Sequence, residues 1–460
     1  MKADSTMLRF AEHALHADGI VEDVLDAANP AACVERFWPT GLPPTQKIKL
    51  LAVGKASIEM ALAACAIVSK VDGCHPFAGG LVTAVPSRMT SDAPRDLAKF
   101  NIRALPADHP LPTQRNVIAA KEVEAFLRAC TPDETLLVLL SGGGSAHLAL
   151  PAPGLSLNDL KVVSSALMRS GATISELNTV RKHLELLKGG RCAKLSRAGH
   201  TRVLVLSDVI GDRLDVISSG PFAPDPTTFG DALKVIEERK VDAPPSVLSV
   251  LNAGLRGESN SLGETPKPGD RAFERVQHTI LASNAITAKA VGAQLEKSCV
   301  HVEGVRVNVE GEAATVANEW LLDCIGRTER SVRSGPVAFL LGGETTVTVG
   351  AATGLGGPSQ EFALVGARAL AMYRAAHPNS STRFALVTFS TDGFDGPTNA
   401  AGAVVTDETW HEIRKIRIDP DRALKNHDSH NALESVNALI RTGATGTNVN
   451  HIAVLLMYPA

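Results

Sequence analysis

Residues 135–150 read "TLLVLLSGGGSAHLAL", an apolar run that stops at Ser141, three consecutive glycines and Ser145. An apolar run without alternation is what a strand buried on both faces requires, and such strands belong to parallel sheets covered by helices. The pattern recurs along the chain. "KIKLLAV" (47–53), "GGLVTAV" (79–85) and "TRVLVL" (201–206) read as sister strands, with helical periodicity at 57–69, 115–129 and 158–169 between them. A polar stretch containing Gly and Pro, "RGESNSLGETPKPGDR" (256–271), reads as a linker. Beyond it, "HTILA" (278–282), "PVAFLL" (336–341), "TTVTV" (345–349), "RFALVTF" (383–389) and "IAVLLM" (452–457) supply a second set of strands. The 460 residues exceed what one hydrophobic core holds, so the alternation predicts an α/β fold of two domains. Their expected limits are 1–255 and 276–460, joined by a linker at 256–275, with the last strand free to return to the first domain.

Composition narrows the function. A net charge of -3 offers no basic surface for nucleic acid or an anionic membrane, which leaves a small molecule as the expected partner. The start, "MKADSTMLRFAEHALHADGI", lacks the apolar stretch of a signal peptide, and no segment reaches the roughly 18 apolar residues of a membrane span, so a cytoplasmic protein is expected. Seven cysteines (Cys33, Cys65, Cys74, Cys130, Cys192, Cys299, Cys324) are scattered without a C-x-x-C pair, which signals neither a disulfide framework nor a zinc site.

Ligands of open α/β sheets bind beyond the carboxyl ends of the strands, and chemistry-bearing residues collect there in this chain. "LLAVGKAS" places Gly54 and Lys55 between a strand and a helix that Ser57 is placed to cap, an arrangement suited to phosphate or carboxylate as well as to an ordinary tight turn. "SGGGSA" offers successive N–H groups for an anion, with hydroxyls at Ser141 and Ser145. It is not a Walker loop, which needs a following lysine, and it is not G-x-G-x-x-G. "SELNTVRKHLELLKGGR" (175–191) resolves at helical spacing into an apolar face (Leu177, Val180, Leu184, Leu187) and a polar one. The polar face carries Asn178, Arg181, Lys182, Glu185 and Lys188, and reads either as solvated or as part of a site, with Gly189 and Gly190 ending the helix. Asp208 and Asp212 follow another strand and suit Mg²⁺ or turn capping. Gly342, Gly343 and Glu344 read as a tight connection between two strands, and a second glycine loop at Gly354–Gly357 leads to Gln360 and Glu361. Asp392 and Asp395 close the strand end "VTFSTDGFDG". His109, His147, His427 and His430 lack a third ligand at metal spacing and read as loop or core histidines. No G-x-S-x-G or H-E-x-x-H motif occurs.

Taken in order, "AVGKAS", "ADHPLP", "SGGGSA", "SELNTVRKHLELLKGGR", "SDVIGDRLDVISSGPFAPDPTTF", "GGETTVTV", "STDGFDGPTNAAGAVV" and "TGATGTNVN" resemble the class II glycerate kinases, the glycerate 2-kinase family with a C-terminal MOFRL domain. The resemblance spans about 47–450. It implies a Rossmann-like, mainly parallel sheet in the N-terminal domain, a smaller α/β MOFRL domain, and an active site in the cleft between them. It also implies ATP-dependent phosphorylation of D-glycerate to 2-phosphoglycerate with Mg²⁺, and it leaves room for a homodimer. Catalytic roles fall to Lys55, Arg181, Asp208 and Asp392. Contacts to substrate or phosphate fall to Ser141, Gly142, Gly143, Gly144, Ser145, Asn178, Lys188, Gly343 and Glu344, and either metal ligation or acceptance of the hydroxyl proton to Asp208, Asp212 and Asp392.

Two departures stand out against the family pattern. "GGPSQE" puts Pro358 where relatives carry an arginine regarded as catalytic, and "TGATGTNVNHI" has Ala444 and His451 where Pro and Asp are usual. Either another cation compensates, with Lys55, Arg181 and Lys188 as candidates, or the acid differs from glycerate. The competing readings are a hydroxypyruvate reductase, which lacks its dinucleotide fingerprint here, a kinase of a related hydroxy acid, and an inactive paralogue that only binds a metabolite.

Overall fold

The computed structural model describes residues 11–38, 47–70, 77–89, 92–258, 262–328 and 335–458. Cys74, the first ten residues of the chain and linker residues 259–261 lie outside them. Two six-stranded sheets organise the chain. The first contains β1 (Lys47–Val53), β2 (Gly79–Ala84), β3 (Ile102–Pro106), β4 (Glu134–Leu140), β5 (His200–Leu206) and β6 (Val276–Ala282), in the order β3-β2-β1-β4-β5-β6. Strands β3, β2, β1, β4 and β5 pair in parallel, with Leu51 of β1 opposite Leu81 on one side and Val138 on the other. Every residue of β4 is buried, which is why its sequence shows no alternation. The order reverses between β1 and β4, and the segments leaving those two strands therefore flank a topological switch point.

The second sheet contains β7 (His301–Glu312), β8 (Val337–Thr346), β9 (Arg383–Ser390), β10 (Gly402–Thr406), β11 (Leu439–Ile440) and β12 (His451–Tyr458), in the order β11-β10-β9-β12-β8-β7. It is mixed: β7 and β8 are parallel and the other pairs antiparallel. Helices cover both faces. Along β8, Ala338 and Leu340 pack with Ile20, Val21 and Val24 of the helix Ala11–Ala27, while Val337, Phe339 and Leu341 face Phe362 and Leu370 of the helix Pro358–Ala376. Burying each Leu or Phe in such a layer contributes roughly 1.5–3 kcal/mol. Among the described residues no helix is long and apolar enough to cross a membrane.

The chain divides into two compact units, one of residues Pro30–Leu281 and one joining Met1–Asn29 to Ala282–Ala460. Several sequence expectations are corrected here. "HTILA" belongs to β6 at the edge of the first sheet, not to the second set. Strand β12 lies inside the second sheet between β9 and β8 and does not return to the first. The stretch read as a linker is tied down: Thr265 is buried and donates to Asp225 at 3.0 Å, and Arg191 donates to the carbonyls of Leu262 and Gly263. Gly342, Gly343 and Glu344 do not turn the chain but run through the middle of β8, so "TTVTV" is no separate strand.

The glycine pair has a packing reason instead. A Cβ on Gly342 would strike Asn284 Oδ1 and one on Gly343 the carbonyl oxygen of Val309 in β7. Gly343→Ala is therefore expected to destabilise the unit by roughly 1–3 kcal/mol, because β7 and β8 must separate to admit the methyl group. A urea midpoint equal to that of the parent chain would remove this account.

Candidate active site

In the Pro30–Leu281 unit the switch point brings together most of the motifs found in the sequence. Strand β1 ends at Gly54 and Lys55, and β4 ends at Ser141–Ser145. The two strand ends interlock. Lys55 N–H donates to Gly142 O at 2.8 Å, Ala56 N–H to Ser141 Oγ at 3.1 Å, and Ser141 N–H to Val53 O at 3.0 Å. Ser57 does not cap its helix, since its hydroxyl donates to Thr83 O at 2.8 Å across the sheet top.

Each glycine of the loop answers to a different neighbour. A Cβ on Gly142 would strike the Asp208 carboxylate, and one on Gly144 would strike Ser218 Oγ. Gly143, at φ +86°, adopts a left-handed backbone, and a Cβ there would lie 3.0 Å from both Lys55 Cγ and His109 Cδ2. The loop thus has a cation and an acid against its backbone. Among the described residues, the N–H groups of Gly142, Gly143, Gly144 and Ser145 donate to no protein acceptor. The serine hydroxyls, by contrast, are engaged: Ser141 Oγ donates to Val53 O at 3.4 Å. Ser219 Oγ donates to Asn178 Oδ1 at 2.9 Å, so the 2.7 Å contact of Ser145 Oγ with Ser219 Oγ makes Ser145 the donor there. In this arrangement the serine hydroxyl hydrogens are already donated within the protein, whereas the backbone N–H groups of the loop are left to meet an anion beside Lys55.

Behind the loop stands a buried scaffold. The helix Ile174–Lys182 is capped by Thr173 and stops at Lys182, short of the expected end at Gly189 and Gly190. Its polar residues are mostly buried, so the solvated-face reading fails. Lys188, fully buried, donates to Ser145 O at 2.6 Å and pairs with Glu185 Oε2 at 2.9 Å. Lys188 and Asn178 thus hold the loop from the inside, and the structure gives Lys188 no free ammonium to offer a ligand. Arg181 lies 3.8 Å from Glu185 and keeps 18% of its side-chain surface exposed. Lys182 pairs with Asp225 at 3.3 Å, in the cluster that also holds Thr265.

Ser218 and Ser219, which no motif rule selects, occupy left-handed φ of 51° and 61°. Non-glycine residues rarely do so without a positional reason. Here the reason is visible, since Ser218 Oγ reaches Ser141 O at 3.1 Å and Ser219 reaches Asn178. Burial raises the Asp208 carboxyl above the ordinary range while Lys55 opposes that rise. Asp212 follows at φ +54° in the next turn.

The second unit holds its own polar cluster. Asp395 is buried and accepts from Ser359 N–H at 2.9 Å, Gln360 N–H at 2.8 Å and Gln360 Nε2 at 2.9 Å. It caps the helix Pro358–Ala376, whose first residue, Pro358, has no N–H to satisfy. Gln360 Oε1 accepts from His430 Nδ1 at 2.8 Å, and His427 pairs with Glu361 at 2.8 Å, so both histidines serve structure. Asp392 Oδ1 accepts from Ser390 Oγ at 3.0 Å and from Phe394 N–H at 3.1 Å. Glu344 is exposed and accepts from Asn450 Nδ2 at 3.1 Å. Burial raises Asp395 and lowers His451, which lies near Asp392 as well. Among the described residues no three His, Cys, Asp or Glu side chains converge to hold a metal.

Comparison with known proteins follows the same division. Residues 16–252 match the family described as a domain of unknown function, DUF4147, and residues 337–451 match the MOFRL family. The chain is 37% identical over 415 residues to a glycerate 2-kinase of Pyrococcus horikoshii, covering 89% of this chain and 87% of that protein. It is 36% identical over 441 residues to a D-glycerate 2-kinase of Thermotoga maritima, covering 95% and 97%. A crystal structure of glycerate kinase from Thermotoga maritima matches with a TM-score of 0.81 at 34% identity, over 95% of this chain and 97% of that one.

Proposed function

The chain belongs to the glycerate 2-kinase family that joins a DUF4147 domain to a MOFRL domain, and from that membership we propose that it transfers the γ-phosphoryl group of ATP to the 2-hydroxyl of D-glycerate in the cytoplasm. The observation that carries the reading is the meeting of Lys55 with the Gly142–Ser145 loop, a cation beside a row of N–H groups without protein acceptors. Phosphoryl transfer asks mainly for positioning and for neutralisation of charge on the transferring group, and both are supplied there by fixed elements. Lys55 neutralises the transferring group or holds the acid's carboxylate, and the loop N–H groups bind the remaining oxygens. Six described cysteines carry free thiols, in keeping with a reducing compartment.

Mg²⁺ fits the donor set. Asp208 presents a carboxylate in the space a Gly142 side chain would fill, with Asp212 in the following turn, and Mg²⁺ favours one or two carboxylates plus substrate phosphates over an all-protein cage. When bound it would offset the negative charge of the ATP phosphates. Pro358 leaves the first turn of its helix without a side-chain cation, so cationic assistance is assigned to Lys55, with the half-buried Arg181 in reserve.

Phosphorus NMR of the protein with ATP, Mg²⁺ and D-glycerate is expected to show ADP together with 2-phosphoglycerate. Formation of 3-phosphoglycerate would overturn the regiochemistry, and ADP release that no hydroxy acid accelerates would overturn the kinase reading. Oxidation of a nicotinamide cofactor during turnover of hydroxypyruvate would favour the reductase instead.

A further inference from the structure

The segment "ADHPLP" (107–112) between β3 and the helix Gln114–Arg128 has no part in the mechanism above, yet it is built with care. Ala107 N–H donates to Ala84 O at 2.9 Å and Asp108 N–H to Asn116 Oδ1 at 3.1 Å. The buried Asn116 uses its amide nitrogen twice, donating to Asp108 O at 2.8 Å and to Ala146 O at 2.9 Å. Because Ala146 lies in the turn that follows the glycine loop, one asparagine clamps the two loops together. The Asp108 carboxylate is fully engaged by Thr113 Oγ1 and by Arg115 at 3.3 Å.

His109 is the exception in this segment. It is exposed, and among the described residues no hydrogen bond serves either ring nitrogen. Its Cδ2 and Nε2 lie 3.0 Å and 3.4 Å from the point where a Gly143 Cβ would stand, and Lys55 Cγ lies 3.0 Å from the same point. A rigidly held loop therefore presents one unpartnered imidazole edge beside the cation and the anion-binding N–H groups.

Resting on the kinase reading, we infer that His109 is the general base that takes the proton of the attacking substrate hydroxyl. As the hydroxyl oxygen bonds to the γ-phosphorus, its O–H bond breaks and the proton passes to an imidazole nitrogen of His109. The bond from the γ-phosphorus to the bridging oxygen breaks with its electron pair, which leaves on ADP, and the imidazolium then returns its proton to water. The electrostatic setting agrees. Although the residue as a whole is exposed, its ring edge packs against the glycine loop, and desolvation of that edge, then the Lys55 charge, lower the His109 pKa, so the imidazole carries a lone pair near neutral pH. The titratable and charged groups that act on it are Lys55 from the end of β1 and His147 from the turn after the glycine loop, while the neighbouring Asp108 is paired with Arg115. His147 is itself lowered to about 4 by burial and donates from Nδ1 to Thr83 O at 3.1 Å, so it contributes no charge.

The test compares full-length parent chain with His109→Asn and His109→Gln, folding being checked by circular dichroism. Both variants are expected to lose at least about 100-fold in kcat for D-glycerate phosphorylation, with KM for ATP little changed. The acid limb of kcat against pH, present in the parent chain, is expected to vanish in both. Turnover within threefold of the parent, or a slower enzyme that keeps the limb, would overturn the assignment of His109 alone. Failure of the parent chain to phosphorylate any hydroxy acid would overturn the kinase reading on which it rests.

Discussion

Lys55→Ala is expected to lower kcat/KM for D-glycerate phosphorylation by about 10³-fold while leaving the urea unfolding midpoint unchanged. The separation of the two effects follows from how Lys55 is held. Its backbone N–H is fixed on Gly142 O whatever side chain it bears, so the glycine loop keeps its place. The side chain runs past Gly143 toward the site, where its charge faces Asp208 and His109. Removing that charge takes a compensating cation away from the transferring phosphoryl group. It also removes one of the two influences that hold His109 down, so the acid limb of the residual activity should move to higher pH. A loss below tenfold would show that the cation at this strand end is not the one that matters.

Lys188→Ala should have the opposite profile, a loss of about 3–5 kcal/mol of stability. Lys188 is wholly inside the protein and its desolvation lowers its pKa, while Glu185, 2% exposed, opposes that shift as its ion partner. Deleting one partner of a buried pair strands the other charge in a medium that solvates it poorly. Two carbonyls, those of Ser145 and Leu148, lose their donor at the same time. The double replacement of Lys188 by Met and Glu185 by Leu should recover part of the loss, because neither member of the fully buried pair is then left charged, although Arg181, 18% exposed, gives up its Glu185 partner. If the single variant unfolds at the parent's urea midpoint, the ion pair does not hold the loop.

Some of this could be read from sequence and some could not, for identifiable reasons. The strand β4 and its glycine loop were legible because a fully buried strand must be continuously apolar and its exit must break that pattern. Lys55 was legible for the same reason, as a charge at a strand end. The strand order was not, since local pattern says nothing about which strands become neighbours. "SELNTVRKHLELLKGGR" misled because buried ion pairs, such as Lys188 with Glu185 and Lys182 with Asp225, look like a solvated stripe when their partners are unknown. The 256–271 stretch misled likewise: its glycines and prolines suggested a free linker, but Thr265 and the Arg191 contacts fasten it. Gly342 and Gly343 looked like a hairpin because the close approach of Asn284 and Val309 cannot be read from local pattern. Ser218 and Ser219 lay inside a quoted motif but were not singled out, since their importance lies in a backbone conformation that residue type does not announce.

The helix Ala11–Ala27 packs in the unit built from residues after 281, and Thr447 Oγ1 closes on Ala28 O at 2.7 Å across 419 residues of chain. On a ribosome adding about 5–20 residues per second, the donor is made roughly 20–80 s after its acceptor. The intervening Pro30–Leu281 unit is continuous and can complete its own core in that interval. The early helix must meanwhile keep Ile20, Val21 and Val24 without their final partners. Biosynthesis thus imposes an inside-out schedule on this enzyme: the middle of the message matures first, and its two ends wait for each other.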